Sequence, residues 1–299
     1  MKQALVVHGG CAAVTAEEET IREAACERAA DAGWQVLKEG GSALDAVEAA
    51  VCRLEDEPML NAGTGSYLQA DGVARMDASI MASSGRAGAV VQVPGLKHPI
   101  RLARYILDQD AHVMLSGIEA TQLALKLGHE SGVVATPQKI AYWQAHLTEA
   151  CLRLDYAQMA KDWLNGHPRL GTVGCVALDR DGSLAAATST GGTGQCYPGR
   201  VGDSPIIGAG TYCTPQTAVS LTGVGERILV HLSAKRLCDL MTGGASLEMA
   251  GNTVMKEIEA LAAASAGLIA IDAGGAIVTL WDTRFMATAR RGGATGMKV

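Results

Sequence analysis

The chain has 299 residues, 48% hydrophobic and 19% charged, with 36 glycines and a net charge of −6. That length suits one large domain or two small ones, and so large an apolar share argues against disorder. The negative balance, with no run of Lys or Arg, argues against nucleic acid or an anionic membrane as the main partner, and 4% aromatics leaves little for stacking on bases or sugars.

In chain order, an opening strand over Ala4–Val7 runs into a glycine turn at Gly9-Gly10. A helix is predicted from Ala16 to Glu39, because Thr15 and Glu18 have capping-box spacing and Gly40-Gly41 stops it. Ser42 caps a second helix that runs to about Leu54, ahead of Pro58. Strands follow near Arg75–Ile80 and Gly88–Val93, then helices over Ile100–Leu107 and Gly117–Leu127. Residues 131–170 show only weak helical periodicity around Ala141–Leu152 and end in the breaker cluster Asn165-Gly166-His167-Pro168, so they read as a weakly packed linker.

The second half begins with a hairpin: Thr172–Asp179, a turn through Gly182, and Ser183–Thr190. A glycine-rich loop spans 191–210. Helices are predicted over Gly225–Leu240 and Ser246–Ala263, and a last hairpin pairs Leu268–Asp272 with Ile277–Asp282. Strand pairs flanking a helix pair make each half look like a two-layer α/β piece, and the two could share one sandwich.

The N-terminal apolar run is too short for a signal peptide, and no stretch approaches the roughly 18–20 apolar residues that span a bilayer. A soluble, cytoplasmic protein is the expectation. The eight cysteines form no C-x-x-C pair and read as reduced, buried thiols, and no metal-ligating cluster is apparent.

The informative stretch is Leu170-Gly171-Thr172-Val173-Gly174. A threonine opening a strand is by itself ordinary. If the linker were cut at Gly171–Thr172, however, the freed α-amine, with a pKa near ~8, would serve as base for the threonine's own hydroxyl. Glycine before it leaves the scissile bond open. Further segments add to this: Leu60-Asn61-Ala62-Gly63-Thr64-Gly65, Met76-Asp77-Ala78-Ser79, Thr188-Ser189-Thr190-Gly191-Gly192, Gly199-Arg200-Val201-Gly202-Asp203-Ser204-Pro205 and Thr222-Gly223-Val224-Gly225-Glu226.

In this order and spacing the segments resemble the plant-type L-asparaginase/isoaspartyl peptidase family of N-terminal-nucleophile hydrolases. The resemblance runs from His8-Gly9-Gly10 to the last hairpin. It implies an α+β fold, a four-layer αββα sandwich, over residues 1–299, with self-cleavage into 1–171 and 172–299. It implies Thr172 as nucleophile, Thr190 and Asn61 beside it, and Thr222 with the Gly223 N–H as oxyanion hole. Arg200 would clamp the substrate α-carboxylate, Asp203 would take the α-ammonium, and the Gly225 backbone would touch the same group. No catalytic cofactor is implied. Na⁺ held by backbone carbonyls near Leu54–Asn61 is, as is a dimer of cleaved protomers.

Alone, Arg200 and Asp203 would read as a surface salt bridge; their motif reverses that. Three departures bear on substrate choice: Val224 inside T-G-x-G-E, a shortened Tyr212–Thr222 segment, and Leu280-Trp281-Asp282-Thr283 near the end. L-asparagine and β-aspartyl dipeptides both stay open, with a slight lean to the dipeptide. The alternatives are a glycosylasparaginase-like amidase and an uncleaved, amino-acid-binding relative. A phosphate-binding module fails, because no G-x-x-x-x-G-K-[ST] is present.

Overall fold

The computed structural model describes residues 3–12, 14–132, 135–165, 171–261 and 265–293. The strands are β1 (Ala4–Ala12), β2 (Arg75–Ala82), β3 (Ala87–Pro94), β4 (Met114–Ser116), β5 (Val173–Leu178), β6 (Leu184–Thr190), β7 (Thr211–Cys213), β8 (Thr217–Gly223), β9 (Ala266–Asp272), β10 (Ile277–Trp281) and β11 (Phe285–Gly292). The helices are α1 (Ala16–Lys38), α2 (Ala43–Glu55), α3 (Pro99–Gln109), α4 (Gly117–Lys126), α5 (Pro137–Ala145), α6 (Glu149–Arg153), α7 (Tyr156–Asn165), α8 (Gly225–His231), α9 (Ser233–Thr242) and α10 (Leu247–Ala260).

The strands form two sheets, in the orders β11-β1-β5-β6-β2-β3-β4 and β10-β9-β8-β7. Side chains alternate across each strand and so sort into layers. Leu5, Val7, Val173, Cys175, Ala185 and Ala187 pack under α1, α2 and α3. Their neighbours Val6, Val176, Leu184 and Ala186 face the second sheet and meet Ala218, Ile269 and Ile271 there. The far side of the second sheet, with Val219, Leu221, Leu268 and Ala270, packs against Leu237, Ala250, Val254 and Ile258 of α9 and α10. Two sheets thus face each other, with helices on both outer faces.

The capping boxes at Thr15/Glu18 and Ser42/Asp45 are both formed, because each pairs two orphan N–H groups of a first turn reciprocally. Other expectations need correction. β1 does not turn at Gly9-Gly10 but continues to Ala12 over a register shift between His8 and Cys11, with Gly10 at φ +88°. The expected linker contains α5, α6 and α7. Thr136 and Thr148 cap the first two by accepting the Lys139 and Cys151 amides. The end of that segment, including Gly166-His167-Pro168, lies outside the described residues. The expected helix over Gly225–Leu240 breaks at Leu232, which takes the left-handed φ of 53°. The last helix ends at Ala260, and residues 262–264 lie outside the described residues.

The two halves share a sheet. β5 lies between β1 and β6, and β11 returns to pair with the opening strand, so the larger sheet takes strands from both. Among the described residues no helix is long and apolar enough to cross a membrane.

Candidate active site

The site forms where the two sheets face each other at the start of β5. Thr172 immediately precedes that strand, and β5 pairs with β6 so that Val173 lies opposite Ser189. The hairpin therefore brings Thr190 beside Thr172, and their hydroxyls lie 3.3 Å apart, with Thr172 donating. Thr190 Oγ1 in turn donates to the Gly171 carbonyl at 3.0 Å and accepts from the Gly192 N–H at 3.1 Å. Asn61 Nδ2 donates to the same Gly171 carbonyl at 2.8 Å and to the Gly192 carbonyl at 2.6 Å. Its Oδ1 accepts the Tyr67 N–H at 3.0 Å, which fixes the amide's orientation. One carbonyl oxygen, on the residue before Thr172, thus has two side-chain donors, and a hydroxyl stands on the next residue.

The structure brings Gly171, Thr172, Thr190, Arg200, Asp203 and Gly223 together around one small polar pocket, joined by Gly192, Thr193, Gly202 and Ser204. Asn61 sits behind Gly171. Gly225 abuts the charged pair: a Cβ there would stand 2.8 Å from both Arg200 Nη2 and Asp203 Oδ1. Thr222 is fully buried beside the pocket, where its hydroxyl accepts from Cys11 Sγ at 3.9 Å. The next residue, Gly223 at φ +147°, carries the chain to the pocket wall in a conformation that favours glycine.

Arg200 donates to Glu226, through Nε at 2.7 Å and Nη2 at 2.9 Å. Burial alone would raise the Glu226 carboxyl, but the bonds and charge of Arg200 outweigh it and hold the group below its ordinary range. Asp203 behaves oppositely. Burial pushes it up to about 7 despite the Arg200 charge, and its Oδ2 is buried without a hydrogen-bond partner. Glu226 is quoted in the T-G-x-G-E motif, yet nothing in its 26-residue separation from Arg200 signals the pairing.

Behind Thr172 runs a buried polar chain that the sequence reading missed. His8 lies in β1, and burial lowers its pKa to about 3, so the ring is neutral. Its Nδ1 lies 3.3 Å from the Gly10 N–H, and its Nε2 hydrogen-bonds Ser220 Oγ at 2.9 Å. Ser220 joins Thr188 at 2.7 Å, Thr188 joins Thr211, and Thr211 joins Ser79 at 2.8 Å. Ser79 then donates to the Ser204 carbonyl at 2.6 Å. β8, β6, β7 and β2 each supply one of these hydroxyls, so no single strand's pattern marks the chain.

The family model described as Asparaginase matches residues 1–298. The chain belongs to the asparaginase family. Its relatives include the isoaspartyl peptidase of Escherichia coli (strain K12), 38% identical over 95% of this chain and 91% of that protein. The isoaspartyl peptidase/L-asparaginase of Bos taurus is 39% identical over 96% and 92%. The plant-type L-asparaginase of Pyrococcus horikoshii is 36% identical over 96% and 95%.

Proposed function

We propose that this asparaginase-family chain cuts itself between Gly171 and Thr172, and that the freed Thr172 hydrolyses the amide of L-asparagine or the isopeptide bond of a β-aspartyl dipeptide. The observation that carries the reading is the Gly171 carbonyl held by Asn61 and Thr190, with the Thr172 hydroxyl beside it. In self-cleavage Thr172 Oγ1 adds to the Gly171 carbonyl carbon, and the oxyanion is held between Asn61 Nδ2 and Thr190 Oγ1. The bond to the Thr172 nitrogen breaks as that nitrogen takes up the proton lost by the hydroxyl, and water hydrolyses the resulting ester. The products are a Gly171 carboxylate and a free Thr172 amine, in pieces 1–171 and 172–299.

In turnover the Thr172 amine takes the hydroxyl proton as Oγ1 attacks the substrate's β-carbonyl, then returns it to the leaving amine. Thr222 and the Gly223 N–H hold the oxyanion, and water releases aspartate. Arg200 takes the α-carboxylate and Asp203 the α-ammonium, with the Gly225 backbone against the same group. The names of the relatives supply both substrate classes, and Val224 leaves the choice between them open, with a slight lean to the dipeptide.

The fold belongs to this reading as a four-layer αββα sandwich of the N-terminal-nucleophile type, assembled as a dimer of cleaved protomers. Na⁺ fits the loop from Leu54 to Asn61. The carbonyl oxygens of Glu57, Pro58 and Leu60 converge at Gly65, an oxygen set suited to a hard cation. No catalytic step is assigned to it. A reducing, cytoplasmic setting suits eight free, buried thiols.

The test follows aspartate release from L-asparagine, a β-aspartyl dipeptide and glycosylasparagine by cleaved wild type and cleaved Arg200→Ala. Loss of kcat/KM in the variant, with self-cleavage intact, is expected, since the precursor bond has no α-carboxylate to clamp. Wild-type kcat/KM in the variant on both asparagine and dipeptide would refute this placement of the substrate head. Preferred release from glycosylasparagine would move the chain to the glycosylasparaginase reading.

A further inference from the structure

Away from the pocket, the fold gathers three metal-ligating side chains that the sequence keeps apart. Cys52 and Glu55 lie in the last turn of α2, at a spacing that puts both on one face of the helix. His98 caps the start of α3, just ahead of Pro99. One ligand atom from each lies within 4.8 Å of the other two, and all three residues are buried. Because 43 positions separate Glu55 from His98, no short-spaced motif marks the set.

The surrounding groups hold these side chains as a metal shell requires. Glu55 Oε1 accepts Ser189 Oγ at 2.6 Å and the Ile100 N–H at 3.2 Å, while Oε2 faces His98 Nδ1 at 3.3 Å. The other ring nitrogen of His98, Nε2, faces Asp56 Oδ1 at 3.4 Å. A metal-bound imidazole commonly has its second nitrogen on a carboxylate in this way, and a ligating carboxylate commonly has its second oxygen hydrogen-bonded. Burial, then the Glu55 charge, raises the Cys52 thiol, and Arg101 of α3 opposes both with its charge and a hydrogen bond.

We propose that Cys52 Sγ, Glu55 Oε2 and His98 Nδ1 bind one Zn²⁺, with the fourth position left to water. A sulfur, an imidazole and a carboxylate together suit this borderline-soft ion, whereas the Na⁺ reading above uses backbone oxygens alone. Tetrahedral zinc holds such atoms roughly 3.3–3.6 Å apart. The gap between His98 and Glu55 already has that size, and closing the whole set takes movements on the order of 1 Å. On binding, the Cys52 proton leaves to solvent and His98 enters neutral, so affinity rises with pH. The ion joins the end of α2 and the start of α3 to β6, where Glu55 holds Ser189 beside Thr190.

The test uses the full chain, reduced and stripped of metal, titrated with Zn²⁺ or Co²⁺ at fixed NaCl. Wild type should take up one equivalent of Zn²⁺ with a rise in Tm, and Co²⁺ should give a thiolate-to-metal absorption band. Cys52→Ser should lose that band. Cys52→Ser and His98→Ala should each weaken Zn²⁺ by more than about 100-fold, and Asp56→Asn by about 10–100-fold, the usual cost of losing an outer-shell partner. No uptake by wild type, or equal affinity in wild type and both ligand variants, overturns the site and leaves Glu55 and His98 as a plain ion pair. Should the variants fail to fold, zinc-edge anomalous diffraction from wild-type crystals decides. A peak between Cys52, Glu55 and His98 supports the proposal, and none there overturns it.

Discussion

At the residue scale, each hydroxyl around Thr172 has a separable task. Thr190 donates to the Gly171 carbonyl and accepts from Thr172. Thr190→Val keeps the shape and loses the donor, so self-cleavage should slow by about 10²–10³-fold, the cost of one oxyanion donor. Timed denaturing gels measure it, and a wild-type rate would remove Thr190 from the cutting step. Gly225→Ala separates the two reactions. Its Cβ would meet Arg200 Nη2 and Asp203 Oδ1 at 2.8 Å, so KM should rise while self-cleavage proceeds. Much of this was legible in the sequence because the groups sit in short motifs: Thr172, Thr190, Arg200 and Asp203 all reach one pocket. Glu226 and the hydroxyl chain from His8 were not. Their partners lie tens to hundreds of positions away, and a lone Ser or Glu in a strand or helix has many ordinary uses.

At the element scale, the long helices were readable because their caps are local. Thr15, Ser42 and Ser246 each accept an amide three residues on. α5 carried a comparable signal, Thr136 before Pro137 at the first helical position, which its weak periodicity obscured. β8 escaped notice because both its faces are buried, so Thr217–Gly223 has no polar edge to mark alternation. The break at Leu232 has no sequence signature, since leucine seldom adopts positive φ. Packing overrides propensity at Gly33 of α1, where an added Cβ would meet Leu5 Cδ1 at 2.6 Å and the Ala46 carbonyl at 2.7 Å. Gly33→Ala improves intrinsic helix propensity by about 1 kcal/mol yet should destabilise the protein by about 1–3 kcal/mol through overpacking. A lowered urea midpoint checks this; a raised one would mean that α1 shifts freely off β1 and α2.

At the scale of the whole molecule, the boundary expected at Thr172 divides the chain but not the fold. β5 pairs on one side with β1 from the first piece and on the other with β6 from its own, while β11 pairs with β1. The two pieces, about 18 and about 13 kDa by share of chain length, should co-elute in native size exclusion and separate only on a denaturing gel. Separation under native conditions would contradict the shared sheet. The sequence suggested a pair of two-layer halves because adjacent strands form local hairpins; which strands then meet across the sheet is a long-range matter that local pattern does not encode. The cysteines offer an independent check. All eight are free and buried, and burial raises those at 11, 26, 52, 175, 196, 213 and 238. Thiol titration at pH 8 should find almost none reactive in the native protein and all eight in urea.

The two donors on the Gly171 carbonyl come from positions 110 and 19 residues away in the chain. They meet only once β2, β5 and β6 have paired and the loop carrying Asn61 has closed over them. A nascent or half-assembled chain therefore holds the threonine but not the apparatus to release it. Under the proposed self-cleavage, assembly comes before activation, and the blade stays sheathed in a copy that misfolds. If the chain cuts itself as proposed, the uncut band on a denaturing gel counts the chains in which these donors have yet to meet or to act.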